Sequence, residues 1–169
     1  MQRRLPGKPV HTAVDAGRHG VPVRAVRFAG AEDARPSADV VAALREAEQV
    51  VVCPSNPIVS IGPLLAIPGV LATLTARRDV VTAVSPIVAG AALKGPADRL
   101  MAELGTEPSV VGVARLYAPW VSTLVIDEVD RTSAAAVEAE GVRCVVAPTI
   151  MNSPEVAASL AEVVIAARG

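Results

Sequence analysis

The chain is 169 residues long, 51% hydrophobic but only 2% aromatic, with 16 basic and 17 acidic residues giving a formal net charge of −1. That length suits one domain, and an interior limited to Val, Leu, Ile and Ala fits a parallel sheet covered by helices better than a sandwich. Mixed charge and a single Phe, Tyr and Trp argue against a nucleic-acid surface or a base-stacking platform.

Cys53 and Cys144 lie far apart and neither belongs to a CxxC pair, so neither a zinc site nor a disulfide framework is expected. The opening stretch MQRRLPGKPVHTAVDAGRHG lacks the apolar core of a signal peptide. Every apolar run is broken by Pro, Gly or charge before it reaches membrane-spanning length. The expectation is a soluble cytoplasmic protein without a membrane partner.

Residues 1–20, rich in Gly, Pro and Arg, read as an irregular lead-in, and residues 21–169 as the folded part. VPVRAVRF (21–28) alternates as a half-buried strand does. Residues 35–49 read as a helix capped by Ser37, with Val40, Val41, Leu44 and Ala47 on one face. VVVC (50–53) is a short apolar strand, and residues 60–78 give two helical pieces split at Pro68 and Gly69. A strand over 79–86 leads to a loop and then a helix that Gly105 closes. Residues 108–117 favour helix, with Gly112 tolerated. Strands at 123–128 and 143–148 flank a helix at 131–141, and a final helix over 153–167 has Ser153 as cap and Pro154 at its first position. This rhythm predicts a three-layer α/β fold, Rossmann-like, with a mostly parallel sheet and right-handed crossovers.

In such sheets ligands bind beyond the carboxyl ends of the strands. That rule selects the loops 54–60, 85–94, 127–130 and 148–152. Ser55 and Asn56 stand where a strand stops, Pro57 holds the asparagine extended, and Ser60 is placed to cap the next helix. The group reads either as a phosphate-accepting helix start or as a proline-stiffened turn. Lys94, the one lysine besides Lys8, is either a point charge for phosphoryl oxygens or a solvated loop cation. Asp98 suits the first turn of a helix in either case. Asp127, Glu128 and Asp130 read as magnesium ligands or as caps. Thr149, Met151 and Asn152 read as contacts to a base or sugar, or as ordinary turn residues. His11 and His19 have no carboxylate or cysteine at ligand spacing, and no GxSxG, HExxH, Walker or GxGxxG pattern occurs.

The words FAGAEDARPSADVVAAL, PSNPIVSIGPLLAIPGV, AVSPIVAGAALKGPADRLMAELG, VGVARLY, LVIDEVD and APTIMNS, in this order, closely resemble the C-terminal half of the 2-phospho-L-lactate transferase family, from about Val21 onward. The resemblance implies transfer of a phospholactyl or enolpyruvyl-phosphate group from a guanosine diphosphate ester to the deazaflavin Fo. GMP is released, in the biosynthesis of coenzyme F420, and magnesium is implied between the phosphates. It further implies that Ser55, Asn56, Pro57, Ser60, Gly62, Ser85, Lys94, Gly95, Asp98, Thr149 and Met151 lie near the donor, with Asp127 as a metal candidate. Family members are about twice this length and begin with a glycine-rich strand-turn-helix that has no counterpart here. The sheet is therefore expected to lack the family's N-terminal strands and to present an uncovered apolar edge. A homodimer, or association with a complementary N-terminal half, follows as the expected assembly. The alternative is a non-catalytic nucleotide-binding or scaffold remnant of the family.

Overall fold

The computed structural model describes residues 11–12 and 23–167. In chain order the strands are β1 (His11–Thr12), β2 (Phe28–Ala29), β3 (Val50–Val52), β4 (Val81–Val84), β5 (Ile87–Val88), β6 (Ala91–Ala92), β7 (Thr123–Ile126) and β8 (Arg143–Val146). The α-helices are α1 (Ala38–Glu46), α2 (Gly62–Leu65), α3 (Val70–Ala76), α4 (Ala97–Glu103), α5 (Val110–Tyr117), α6 (Ala134–Ala139) and α7 (Pro154–Ala166).

Four strands form one wholly parallel sheet in the order β3-β4-β7-β8. Register pairs Val50 with Val81, Thr82 with Thr123, and Leu124 with Cys144. Successive residues point to opposite faces. Val50, Val52, Val81, Ala83, Leu124 and Ile126 therefore meet α3, α4, α5 and α6 in the main core. Val84, Val125 and Val145 face the other way, onto Leu160, Val163 and Val164 of α7. These are the three layers anticipated from the Val-rich, aromatic-poor sequence.

Arginines tie helix ends to the scaffold by satisfying carbonyls that helices leave free. Arg77 donates to the Leu44 and Ala47 carbonyls behind α1, at 2.7 and 2.5 Å. Arg143 donates to the Ala167 carbonyl behind α7. On the α7 face, the Gln49 amide bridges Thr82 Oγ1 (3.3 Å) and the Val164 carbonyl (2.8 Å).

Several boundaries differ from the sequence reading. The strand expected over 21–28 reduces to Phe28–Ala29, paired antiparallel with His11–Thr12. Residues 23–27 have no ladder, and the Val23 N–H instead donates to Glu103 Oε2 of α4 at 2.9 Å. That pairing also places two residues of the expected lead-in, His11 and Thr12, in regular structure, whereas the expectation for His19 falls outside the described residues. Residues 87–92, read as part of the loop 85–94, form a two-stranded hairpin. Gly112 is required rather than tolerated, because a Cβ there would stand 1.9 Å from the Glu107 carbonyl oxygen. Ser37, Ser109 and Ser153 cap α1, α5 and α7, each accepting a backbone N–H three residues on.

Candidate functional site

Because all four strands of the sheet run the same way, their carboxyl ends share one rim. At the end of β3, Asn56 has an extended backbone ahead of Pro57, and its Oδ1 accepts the N–H groups of Ile58 (2.9 Å) and Val59 (3.2 Å). The next turn, Pro57–Ile61, is π-helical, with Ser60 and Ile61 both donating to the Asn56 carbonyl. Asn56 is thus the cap expected of Ser60, which is exposed further along the turn. Proline at the first helical position leaves one fewer free N–H to satisfy, which favours starting the helix there. Gly62 faces the Phe28 ring, whose Cζ would lie 2.8 Å from an added Cβ.

At the end of β4, Ser85 is buried and fully engaged. Its hydroxyl donates to the Ile87 carbonyl at 2.9 Å and accepts from the Ile87 N–H at 3.2 Å. Ile87–Val88 then turns back on Ala91–Ala92 through Ala89 (φ 50°) and Gly90 (φ 77°). Two successive left-handed residues make the tight hairpin turn that matches strand twist. Alanine in that region is strained, and Asp130 Oδ2 holds it by accepting the Ala89 N–H at 2.9 Å. The hairpin delivers Leu93 and Lys94 to the rim, and Gly95 (φ 74°) returns the chain toward α4.

At the end of β7, Asp127 is buried and its oxygens are occupied. Oδ2 accepts the Thr149 N–H (2.8 Å) and hydroxyl (2.9 Å), and Oδ1 accepts the Val129 N–H (3.2 Å). Burial alone would raise this carboxyl group. Hydrogen bonds from Thr149, Val129 and Glu128 outweigh burial and hold its pKa below the usual carboxylate value. Asp127 thereby fastens the loop after β8 to the end of β7.

These loops enclose a cavity of about 430 Å³ lined by Pro54, Ser55, Asn56, Ser85, Pro86, Leu93, Lys94, Ala97, Thr149, Ile150 and Met151. Six residues expected from the sequence meet there: Ser55, Asn56, Ser85, Lys94, Thr149 and Met151. Pro57, Ser60, Gly62, Gly95 and Asp98 stand outside its wall, Pro57 buried beneath the turn and Gly95 exposed. Pro54, Pro86, Leu93 and Ile150 fall within the loops selected from the sequence without being singled out there, and Ala97 lies outside those loops.

Among the described residues, Lys94 is the single charged residue of the wall and forms no ion pair. With the Ser85 and Thr149 hydroxyls and Asn56 Oδ1 already engaged, the side-chain groups left for a ligand are the Ser55 hydroxyl, the Asn56 amide N–H pair and the Lys94 ammonium. This set suits an oxyanion. It does not fit magnesium, whose hard oxygen ligands are normally carboxylates. Among the described residues the wall holds no carboxylate, and no group of three or more His, Cys, Asp or Glu side chains is arranged to hold a metal.

A family model described as "2-phospho-L-lactate transferase CofD" matches residues 8–163. The chain is 37% identical over 158 residues to a phosphoenolpyruvate transferase of Kitasatospora aureofaciens, covering 93% of this chain and 47% of that protein. It is 40% identical over 152 residues to a 2-phospho-L-lactate transferase of Methanosarcina mazei, covering 89% and 50%. Against the 2-phospho-L-lactate transferase of Methanosarcina acetivorans the identity is 41% over 150 residues, covering 88% and 48%. The chain spans about half the length of the curated relatives it matches.

Proposed function

The chain belongs to the 2-phospho-L-lactate transferase family, and on that premise we propose that its rim cavity receives the diphosphate of a guanosine diphosphate ester of lactate or enolpyruvate. The acceptor is the terminal hydroxyl of Fo. Its oxygen bonds to the phosphorus that carries the 2-oxygen of lactate or enolpyruvate, the bond from that phosphorus to the bridging oxygen breaks so that GMP leaves with that oxygen, and the hydroxyl proton passes to solvent. The place of this reaction is the biosynthesis of coenzyme F420.

The observation that carries this reading is the meeting of Ser55, Asn56 and Lys94 on one cavity from two separate strand ends. Catalysis of phosphoryl transfer rests chiefly on positioning and charge neutralisation. Lys94 supplies the charge, Ser55 and Asn56 supply donors, and Asp127 fixes the loop that carries Thr149, Ile150 and Met151. Calorimetric titration with GDP tests it. Losing one charge-assisted contact costs about 1.5–3 kcal/mol, so Lys94→Ala should weaken GDP roughly 10- to 150-fold. Arg115→Ala should leave affinity unchanged, because Arg115 pairs with Glu140 away from the cavity wall. Equal effects of the two substitutions would overturn the assignment.

Transfer is further proposed to require a second polypeptide segment corresponding to the remaining half of the relatives' length. Support comes from the free edge of β3, where Val51 is 43% exposed beside an apolar cleft of about 520 Å³. Pro36, Val40, Leu44, Leu64, Val70 and Trp120 are among its walls. An exposed edge offers unpaired N–H and C=O groups to another segment, and parallel sheets are normally covered on both faces. No single helix among the described residues is long and apolar enough to cross a membrane.

A second reading, nucleotide binding without transfer, is favoured by the lack of a carboxylate in the wall. Mixing the chain with the N-terminal half of a full-length relative, then assaying product from Fo, separates the two. Product formation eliminates the second reading, and nucleotide binding without product eliminates the first.

A further inference from the structure

We infer that the rim cavity takes its diphosphate as the metal-free anion, with no divalent cation held between ligand and protein. The inference rests on the nucleotide reading above and specifies the form of ligand that the site accepts. Its basis is where the neighbouring carboxylates are spent. Asp127 accepts three hydrogen bonds, two from Thr149 and one from Val129. Asp130 accepts the Ala89 N–H that holds the hairpin turn. Glu128 lies 3.6 Å from Arg131 on the outer surface, and Asp98 stands outside the cavity wall.

Asp127 and Asp130 are therefore tied into the scaffold, Glu128 faces Arg131, and Asp98 is not part of the wall. What remains in the wall is donors: one ammonium, one hydroxyl and one amide N–H pair. A metal ion bound to the diphosphate would compete with Lys94 for the same phosphoryl oxygens. It would also bring a second positive charge toward Lys94 with no anionic side chain to offset it. Electrostatics in this wall thus favours the bare anion.

The test is calorimetric titration of the chain with GDP and, separately, with inorganic pyrophosphate, each in excess EDTA and in millimolar magnesium. Pyrophosphate shows whether the phosphates alone are recognised. On the metal-free reading, magnesium leaves the GDP affinity unchanged or weakens it, and affinity in EDTA falls as salt screens Lys94. Asp98→Asn changes neither titration by more than about twofold, while Lys94→Met weakens both about tenfold or more. Affinity at least about tenfold tighter in magnesium overturns the inference and leaves the nucleotide reading standing. Absence of GDP binding in both buffers overturns the nucleotide reading, and this inference falls with it.

Discussion

Replacing Asp127 by Asn tests whether this carboxylate is a structural fastener rather than a ligand of metal or substrate. Its two oxygens accept three hydrogen bonds, at 2.8, 2.9 and 3.2 Å. An amide has one acceptor. Turned toward Thr149, it keeps two bonds in weakened neutral form and sets its NH2 against the Val129 N–H. Turned the other way, it keeps only the longest. Bonds to a charged acceptor contribute about 1.5–3 kcal/mol each and neutral ones about 1 kcal/mol, so exchanging three of the first for two of the second costs about 2.5–7 kcal/mol. Asp127 is only 5% exposed, so water restores little of this. For a chain of this size the loss is about 5 °C or more in Tm. Calorimetric melting at pH 7 reads it directly. The sign with pH follows from the lowered pKa. Stabilisation is complete above the unfolded carboxylate pKa of about 3.9 and is lost as pH falls through the lower folded value, so the gap between the two proteins should narrow in acid. A variant melting within about 2 °C of the parent at pH 7, or a gap that persists well below the folded pKa, would refute the fastening argument.

Gly112→Ala places a Cβ 1.9 Å from the Glu107 carbonyl oxygen, backbone that cannot step aside cheaply. Urea unfolding should show a loss of about 3 kcal/mol or more, and a loss under 1 kcal/mol would mean that residues 107–109 adjust freely. Val51→Asp puts a carboxylate on the free edge at a position already 43% exposed. Stability of the isolated chain should change by no more than about 1 kcal/mol, while sedimentation with a relative's N-terminal half should show association lost; retained association would move the docking surface away from β3.

What the sequence made legible was mostly local. The Val-rich stretches at 50–53 and 79–86 announce parallel strands, the second wholly buried and the first a half-buried edge, and Ser37, Ser153 with Pro154, and Gly105 mark helix ends that the structure keeps. The carboxyl-end rule pointed, without any side-chain information, to a rim where the structure places a cavity, because it depends only on strand direction. What stayed hidden depends on distant partners. Residues 23–27 alternate like a strand but have no ladder to join, since alternation belongs to one segment and pairing to two. Ser60 and Asn56 are both competent caps by residue type. The choice between them follows from Pro57, at the first helical position, and from a turn packed so that Gly62 meets Phe28, thirty-four residues earlier.

The acidic trio shows the same limit at the site itself. In sequence, Asp127, Glu128 and Asp130 are three similar carboxylates in four positions, equally suited to a cation or to capping. In the fold they point to three different tasks: Asp127 to Thr149, Asp130 to Ala89, and Glu128 to Arg131. A carboxylate that accepts hydrogen bonds from the backbone has fewer lone pairs to offer and is held from turning toward a metal, and each such bond to a charged acceptor contributes about 1.5–3 kcal/mol. Recruiting Asp127 or Asp130 would therefore loosen the β8 loop or the hairpin that carries Lys94. The same bonds that shape the cavity's loops engage Asp127 and Asp130, so three carboxylates that spacing leaves open between cation ligands and caps serve in the fold as a cap and fastener, a turn clasp and an ion-pair partner.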